Sequence, residues 1–459
     1  MSKRVFSLRL SVVLSLVLSA FLVSRVPLAK AGDRPERHVV IISIDALRPE
    51  FYLSDAFKTP TLKELAKKGA HANGVESGYP SVTYPSHASI VTGVRPARHG
   101  VLANTVFGPH GAQVEWIWET KDLKAKPIWQ AAHEQGKKVA ILQWPTTVGA
   151  KVTWLVPERW GIKNESTRDV LLKNSTPGLL IEVALALGVA KIDSSTLRDG
   201  AKLDEFVSGA AAYVLETHKP DLLLTHLTQV DHEAHGHGRD APEVHDAVAR
   251  TDANIAKIRE AAKKAGILDS TVFVIVGDHG FTDVKETIAP NVVLAQAGLV
   301  DLDDKGEVKS WRALGHAEGG SMAIHAVDAE SARVAHAALE KVSVRDGKPL
   351  FTFVERPQLD ELGADPRAAF FLEAAEEKAL GGNASGGFSW THELRGTHGG
   401  LPTRPQLFTG FIASGPGVRH TTVERMRLID EAPTVARLLG VDLPGTEGSV
   451  VDVLDEEPY

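Results

Sequence analysis

Five runs of apolar residues recur along the chain with helical patterns between them: HVVIISID (38–45), KKVAILQW (137–144), DLLLTHLTQVD (221–231), TVFVIVGDHG (271–280) and LFTGFIASGPG (407–417). Val, Ile and Leu fill successive rather than alternate positions in them, the pattern of strands covered on both faces. The intervening helices have legible ends. TPTLKELAKKG opens on a Thr cap and stops at Gly69, APEVHDAVARTDANIAKIREAAKKAG has Pro242 near its start and Gly266 at its end, and EAPTVARLLG repeats the arrangement. Strand and helix alternating in this way predict an α/β fold, with a mostly parallel central sheet and helices on both faces.

A chain of 459 residues exceeds one ordinary core, so one large α/β domain with sizeable insertions is expected. Residues 32–300 read as the catalytic core, with a cap-like insertion at 146–202. Residues 301–395 read as a smaller α+β inserted subdomain, because SMAIHAVDAESARVAHAALEKVSV has a strand-helix-strand pattern, and residues 396–459 complete the core.

The first 31 residues stand apart. Lys3, Arg4 and Arg9 precede an uncharged apolar run from Leu10 to Val23, and Ala29-Lys30-Ala31 fits a small-residue cleavage site. The run is short of the ~20 residues that span a bilayer. A cleaved signal peptide is therefore expected rather than a membrane anchor, giving an exported protein, periplasmic or extracellular, with no stable anchor after cleavage. The chain has no Cys, so neither disulfides nor lipid attachment through an N-terminal Cys is available to it. Loss of the five basic residues of the leader takes the formal charge from -7 to about -12, which gives no electrostatic footprint for nucleic-acid binding, so no nucleic-acid polymer is expected as the main partner.

In open parallel sheets the ligand crevice lies beyond the carboxyl ends of the strands. Three of the apolar runs end there in carboxylates: Asp45, Asp231 and the pair Asp278-His279. Any one Asp could be a helix cap or a turn former, but three together, two of them with histidines, suggest a ligand set. His235 lies four residues after Asp231, a spacing that returns both side chains to one side of a turn, while His232 and His237 read as solvated. His398, in RGTHGG, sits among glycines that permit close backbone approach, or is a plain loop histidine. Six Asp and His ligands without Cys suit two zinc-like ions. Between them, in GYPSVTYPSHASIVTG, Pro85 fits the first position of a helix running to Gly93, which leaves Thr83 and Tyr84 at an anion-favouring helix N-terminus. A Thr83 hydroxyl there either caps the helix or, bound to a dication, becomes a nucleophile.

These residues carry a resemblance. Asp45 in SIDALRPEF, Thr83 in VTYPSHASIVTGVRPARHGVLAN, PIWQAAHEQGKKVAILQWP, Asp231 with His235, GDHG, His398 in GTHGG, and GPG followed by APTVARLLG are similar, in order, to the nucleotide pyrophosphatase/phosphodiesterase family of the alkaline phosphatase superfamily. The resemblance implies an alkaline phosphatase-like fold and two zinc ions, one held by Asp231, His235 and His398 and the other by Asp45, Asp278, His279 and Thr83. It implies that Thr83 attacks phosphorus to form a threonyl-phosphate, and that Asn104 donates to a phosphoryl oxygen together with a backbone N–H near Thr83. Tyr84 follows the nucleophile where the family carries an aromatic, to touch the substrate or to pack in the core. Ser86-His87 departs from the Asn-His that often follows the proline in the family. The substrate class implied is a nucleotide or other small phosphodiester. A phosphate monoesterase or a phosphonate hydrolase on the same scaffold, or a secreted zinc-binding protein without catalysis, are the alternatives; no Lys-x-Arg pair of the monoesterase type is found, and the Cys or Ser, Pro and Arg pattern of sulfatases is missing.

Overall fold

The computed structural model describes residues 37–188 and 199–455, so the leader read as a signal peptide lies outside the described residues. No described helix is long and apolar enough to cross a membrane. In chain order the elements of the central layer are β1 (His38–Ile44), α1 (Pro60–Lys68), β2 (Ala70–Ala72), α2 (Thr83–Thr92), β3 (Val139–Leu142), β4 (Trp154–Val156), α3 (Gly200–His218), β5 (Leu222–Leu227), α4 (Gln229–His237), α5 (Pro242–Lys264) and β6 (Thr271–Gly277). A satellite region contributes β7 (Thr282–Ile288), β8 (Ala313–Ala317), β9 (Ser321–Ala326), α6 (Ala329–Glu340), β10 (Phe351–Val354), β11 (Phe370–Ala374), β12 (Glu377–Leu380) and β13 (Ser389–Thr397). The chain then returns to the central layer through β14 (Phe411–Ser414), β15 (Thr421–Val423) and α7 (Glu431–Leu439).

The central sheet has eight strands in the order β15-β2-β14-β6-β1-β5-β3-β4. From β6 through β4 every pairing is parallel; β14, drawn from the fifth apolar run, is antiparallel to both neighbours. Both faces are covered. Val40, Ile42 and Ile44 pack with Leu62 of α1, Phe206 of α3 and Ile255 of α5, while Val39 and Ile41 pack with Val91 of α2 and Leu438 of α7 on the other side. Each such aliphatic, fully buried, stabilises the fold by about 1.5–3 kcal/mol, and this is why β1 carries no polar alternation.

Several local expectations are corrected. Thr59 does not cap α1, because its hydroxyl donates to the Phe51 carbonyl; the Asp252 carboxylate of α5 instead accepts the Thr61 and Leu62 N–H groups at 3.1 and 2.8 Å. Helix α2 starts at Thr83 rather than at Pro85, which takes its third position. The third apolar run stops being a strand at Leu227, so Asp231 lies in the first turn of α4, not at a strand end. The cause is again distant: Asp204 of α3 accepts the Thr228 and Gln229 N–H groups at 2.7 and 3.1 Å and starts the helix there.

The segment 146–202 does more than cover the sheet, since it supplies the edge strand β4 and buries Leu179, Leu180 and Val183 in the main core. Beyond residue 301, a four-stranded antiparallel sheet, β8-β9-β11-β10, carries α6 and a core of its own around Leu314, Met322, Leu339 and Phe351. A second sheet, β12-β7-β13, takes β7 from before residue 301, and β13 runs past residue 395 to deliver His398.

Candidate functional site

The register of the central sheet brings the first carboxylates together. Ile44 of β1 is level with Leu227 of β5 on one side and with Gly277 of β6 on the other, so the next residues, Asp45 and Asp278, leave the sheet side by side. The Asp278 Oδ1 accepts the N–H groups of Ala46 and His279, both at 3.0 Å, which fixes its carboxylate between the two strand ends. Asp231 and His235 share one face of α4, one turn apart, and His398 enters from the loop after β13. That loop approaches closely. A Cβ at Gly396 would lie 2.5 Å from the Ala234 carbonyl oxygen, and Gly399, at φ +97, would put one 1.9 Å from the Glu318 carbonyl oxygen.

The six residues form two groups, Asp231 with His235 and His398, and Asp45 with Asp278 and His279, and within each group one ligand atom per residue lies within 4.8 Å of the others. In the first, the Asp231 Oδ1 is 3.4 Å from His235 Nε2 and 3.6 Å from His398 Nε2. In the second, His279 Nε2 is 3.3 Å from Asp45 Oδ1 and 3.2 Å from Asp278 Oδ2. The His279 and His398 rings stack at 3.6 Å, which joins the groups. All three histidines are oriented alike: Nδ1 of His235, His279 and His398 faces the carbonyls of Gly396, Gly280 and Ser81, each at 3.1 Å. An Nδ1–H that donates to a carbonyl leaves the Nε2 lone pair turned into the cluster, as a metal requires.

The donor set fits cations. Asp45 Oδ1, Asp231 Oδ1 and Asp278 Oδ2 are buried and accept no hydrogen bond. Burial first, and then the neighbouring Asp231 for Asp45 and the neighbouring Asp45 for Asp278, push both carboxyl groups well above their ordinary range. Burial, reinforced by neighbouring imidazoles, lowers His279 well below its usual value and His398 to about 4. Carboxylate oxygens crowded together without hydrogen-bond donors, facing imidazole nitrogens whose protonation burial disfavours, are compensated by a dication placed between them.

Thr83 adjoins the second group and shares a cavity wall with Asp45 and Asp231. It is 8 % exposed, and its Oγ1 is 3.5 Å from His279 Nε2. The backbone beneath it is clamped, since His87 Nδ1–H donates to the Thr83 carbonyl at 2.8 Å while His87 Nε2 meets Ser43 Oγ at 2.9 Å. Ser86, where the family often has Asn, is fully buried with a hydroxyl that finds no partner. Asn104 reaches the same helix end: its Oδ1 accepts the Tyr84 N–H at 2.9 Å, which turns its NH₂ outward as a donor. The Tyr84 N–H is thereby used up by Asn104. Tyr84 itself is a core aromatic, 0 % exposed, packed with Ala88, Val101 and Trp118 and donating its hydroxyl to Glu158 at 2.8 Å.

A cavity of about 460 Å³ opens beside Thr83, Asp45 and Asp231. Its wall includes residues that sequence reasoning passed over. Glu158 links Tyr84 to His226, whose Nδ1 it meets at 2.9 Å, and His226 Nε2 lies 3.3 Å from Asp45 Oδ2. Arg159 and Trp160 follow it, and His232, read as merely solvated, is exposed but also borders the cavity. Glu318, from the turn between β8 and β9, accepts the Asn104 N–H at 3.2 Å and is raised to about 8 by burial. An imidazole inside the mostly apolar strand LLLTHL was a usable sign for His226. Glu158 and Glu318 had none, because only the folded chain brings their loops to the site.

Comparison with known proteins gives the same fold. Human ectonucleotide pyrophosphatase/phosphodiesterase 5 superposes with a TM-score of 0.66 at 21% identity, over 91% of this chain and 100% of that one. The murine protein, as an inactive threonine-to-alanine variant in complex with AMP, superposes with a TM-score of 0.65 at 20% identity over the same shares. Both have the alkaline phosphatase-like architecture. Among curated relatives, an ectonucleotide pyrophosphatase/phosphodiesterase of Caenorhabditis elegans is 26% identical over 92% of this chain and 45% of its own length. A bis(5′-adenosyl)-triphosphatase of Xenopus laevis is 26% identical over 53% of this chain and 46% of its own. The chain thus spans about half the length of the curated relatives it matches. The sequence profile of the Type I phosphodiesterase / nucleotide pyrophosphatase family matches residues 39–401, most of the chain, and the protein belongs to that family.

Proposed function

We propose that the protein is an exported two-zinc hydrolase that cleaves phosphodiester or pyrophosphate bonds of a nucleotide or other small phosphodiester through a threonyl-phosphate intermediate. The observation that carries the reading is the Thr83 hydroxyl at the start of α2, 3.5 Å from His279 Nε2 and in the wall of one cavity with Asp45 and Asp231, one from each cluster. The naming of the relatives as pyrophosphatases and phosphodiesterases supports the substrate class, and the inactive threonine-to-alanine variant of the murine neighbour, with its AMP, supports the threonine. Export is supported by the leader alone.

In this reading Thr83 Oγ attacks phosphorus, the opposite P–O bond breaks and its oxygen leaves with the electron pair. Water then cleaves the threonyl-phosphate and restores the hydroxyl. Zinc, when bound by the two clusters, supplies positive charge that eases deprotonation of the hydroxyl and neutralises the reacting oxygens. The chain's own part is orientation. His87 holds the Thr83 carbonyl, and the Asn104 NH₂, turned by the Tyr84 N–H, donates to a phosphoryl oxygen beside the helix terminus. Asn104→Ala is therefore expected to lower kcat/KM by about 10²-fold or more, measured as p-nitrophenol release from bis-p-nitrophenyl phosphate.

A monoester presents one more charged oxygen than a diester and calls for a cation near the phosphorus. Arg159, the one Arg or Lys among the described residues that borders the cavity, favours the monoesterase as a second reading. Its neighbour Glu158, however, is the residue that turns toward His226 and Asp45. A higher kcat/KM is expected for bis-p-nitrophenyl phosphate than for p-nitrophenyl phosphate at one pH and zinc concentration. A monoester advantage would overturn the diesterase assignment.

A further inference from the structure

Glu158 and His226 are buried beside the second carboxylate cluster and take no part in the mechanism above. His226 lies inside β5, level with Ser43 of β1, two residues before Asp45. Both oxygens of Glu158 are engaged: Oε1 accepts the Tyr84 hydroxyl at 2.8 Å, and Oε2 lies 2.9 Å from His226 Nδ1. The His226 ring meets His87 edge-on at 4.3 Å, and its Nε2 faces Asp45 Oδ2 at 3.3 Å, an ion-pair distance, with no aligned hydrogen bond to any group. A carboxylate that binds a cation is ionised, and an Nε2 lone pair beside it would be repelled, so Nε2–H is the form that suits this neighbour. Asp45 is thereby divided. Its Oδ1, without a donor, is 3.3 Å from His279 Nε2, while Oδ2 is turned to His226. Asp278 is divided in the same way, with Oδ1 anchored by two backbone N–H groups and Oδ2 left open. His226 itself belongs to neither ligand group.

We propose that Glu158 and His226 are positioning residues that hold Asp45 by Oδ2 and so present its Oδ1 to the cation of the second cluster. Glu158, fixed by the Tyr84 hydroxyl, orients the imidazole, and the imidazole orients the ligand. The tie runs from the residue after Thr83, through the loop after β4, to a carboxylate at the end of β1, which gives the 146–202 segment a part in metal affinity. The inference rests on the two-zinc reading and adds to it two groups that hold a ligand rather than the ion.

Two substitutions separate the contacts of the ring. Asn puts its amide near the place of Nδ1 and can still meet Glu158 but not Asp45, whereas Gln puts its amide near the place of Nε2 and reaches Asp45. Zinc affinity, read by competition with a chromophoric chelator, is expected to fall about 10- to 100-fold at one of the two sites in His226→Asn and to stay close to the wild type in His226→Gln. In Asp278→Asn, which keeps only the other site, adding His226→Asn should cost no further affinity. Glu158→Gln, which keeps the shape of the side chain and removes the charge that orients the ring, should weaken the same site by a smaller factor, and it carries the test if His226→Asn does not fold. Melting in chelator shows which variants are folded. A pair that only ties the loop to the sheet would give the reverse order, Asn keeping that tie and Gln losing it, or a loss shared by both sites. Either result, or wild-type affinity in the folded variants, would overturn the proposal and leave the two-zinc reading standing on the wild type's two ions. A wild type that takes up no zinc would remove that reading and the proposal with it.

Discussion

Thr83→Ala is expected to fold, to keep most of the metal through the remaining ligands and to lose at least about 10³-fold in kcat. The structure separates the backbone of this residue from its hydroxyl. The Thr83 carbonyl accepts the His87 ring N–H whatever the side chain, and Ala is a better helix former than Thr at the start of α2. What is lost is the Oγ1 that faces His279 and the cavity. Loss in kcat with most of the zinc and the thermal stability kept would identify covalent catalysis, and Thr83→Ser, which keeps a hydroxyl, should regain part of the rate. Near-wild-type turnover by the alanine variant would remove Thr83 from the chemistry and leave its hydroxyl as a helix-end group.

The parts of this site that depend on strand position were legible in the chain. Apolar runs covered on both faces fix where β1 and β6 end, so Asp45 and Asp278 could be placed at one edge of the sheet, while their pairing was implied only by the family resemblance and follows in the fold from the adjacency of β1 and β6. Interactions distant in sequence were not legible. The end of β5 and the start of α4 are set by Asp204 from another helix, so Asp231 was read at a strand end rather than in a helical turn. The same physics moved the cap of α1 from Thr59 to Asp252. Strand direction is equally silent: nothing in an apolar run such as 411–414 says that β14 runs antiparallel. The cavity wall was the least legible part. Glu158, Arg159 and Glu318 sit in loops whose composition carries no period, and their meaning comes only from what they face.

Asp278→Asn is expected to lower the zinc content from two ions to about one per chain and to cost at least about 10²-fold in kcat/KM, more than His232→Ala at the cavity rim. The amide is the informative replacement because it divides the two oxygens of Asp278. Its carbonyl can still accept the Ala46 and His279 N–H groups that Oδ1 accepts, so the strand ends stay joined. The other oxygen, 3.2 Å from His279 Nε2 and without a donor, becomes an NH₂ that cannot ligate a cation. Stability should then change sign with the metal. In chelated protein the substitution removes one of two crowded, buried carboxylates, so the variant should melt no lower than the wild type. With zinc at a hundred times its dissociation constant, each intact site adds about 2.7 kcal/mol to the wild type, and the variant forgoes that gain at one site. Elemental analysis and melting with and without chelator measure both halves. A variant that still holds two ions and gains as much from zinc as the wild type would take Asp278 out of the ligand set, and its unpaired oxygen would then need another explanation.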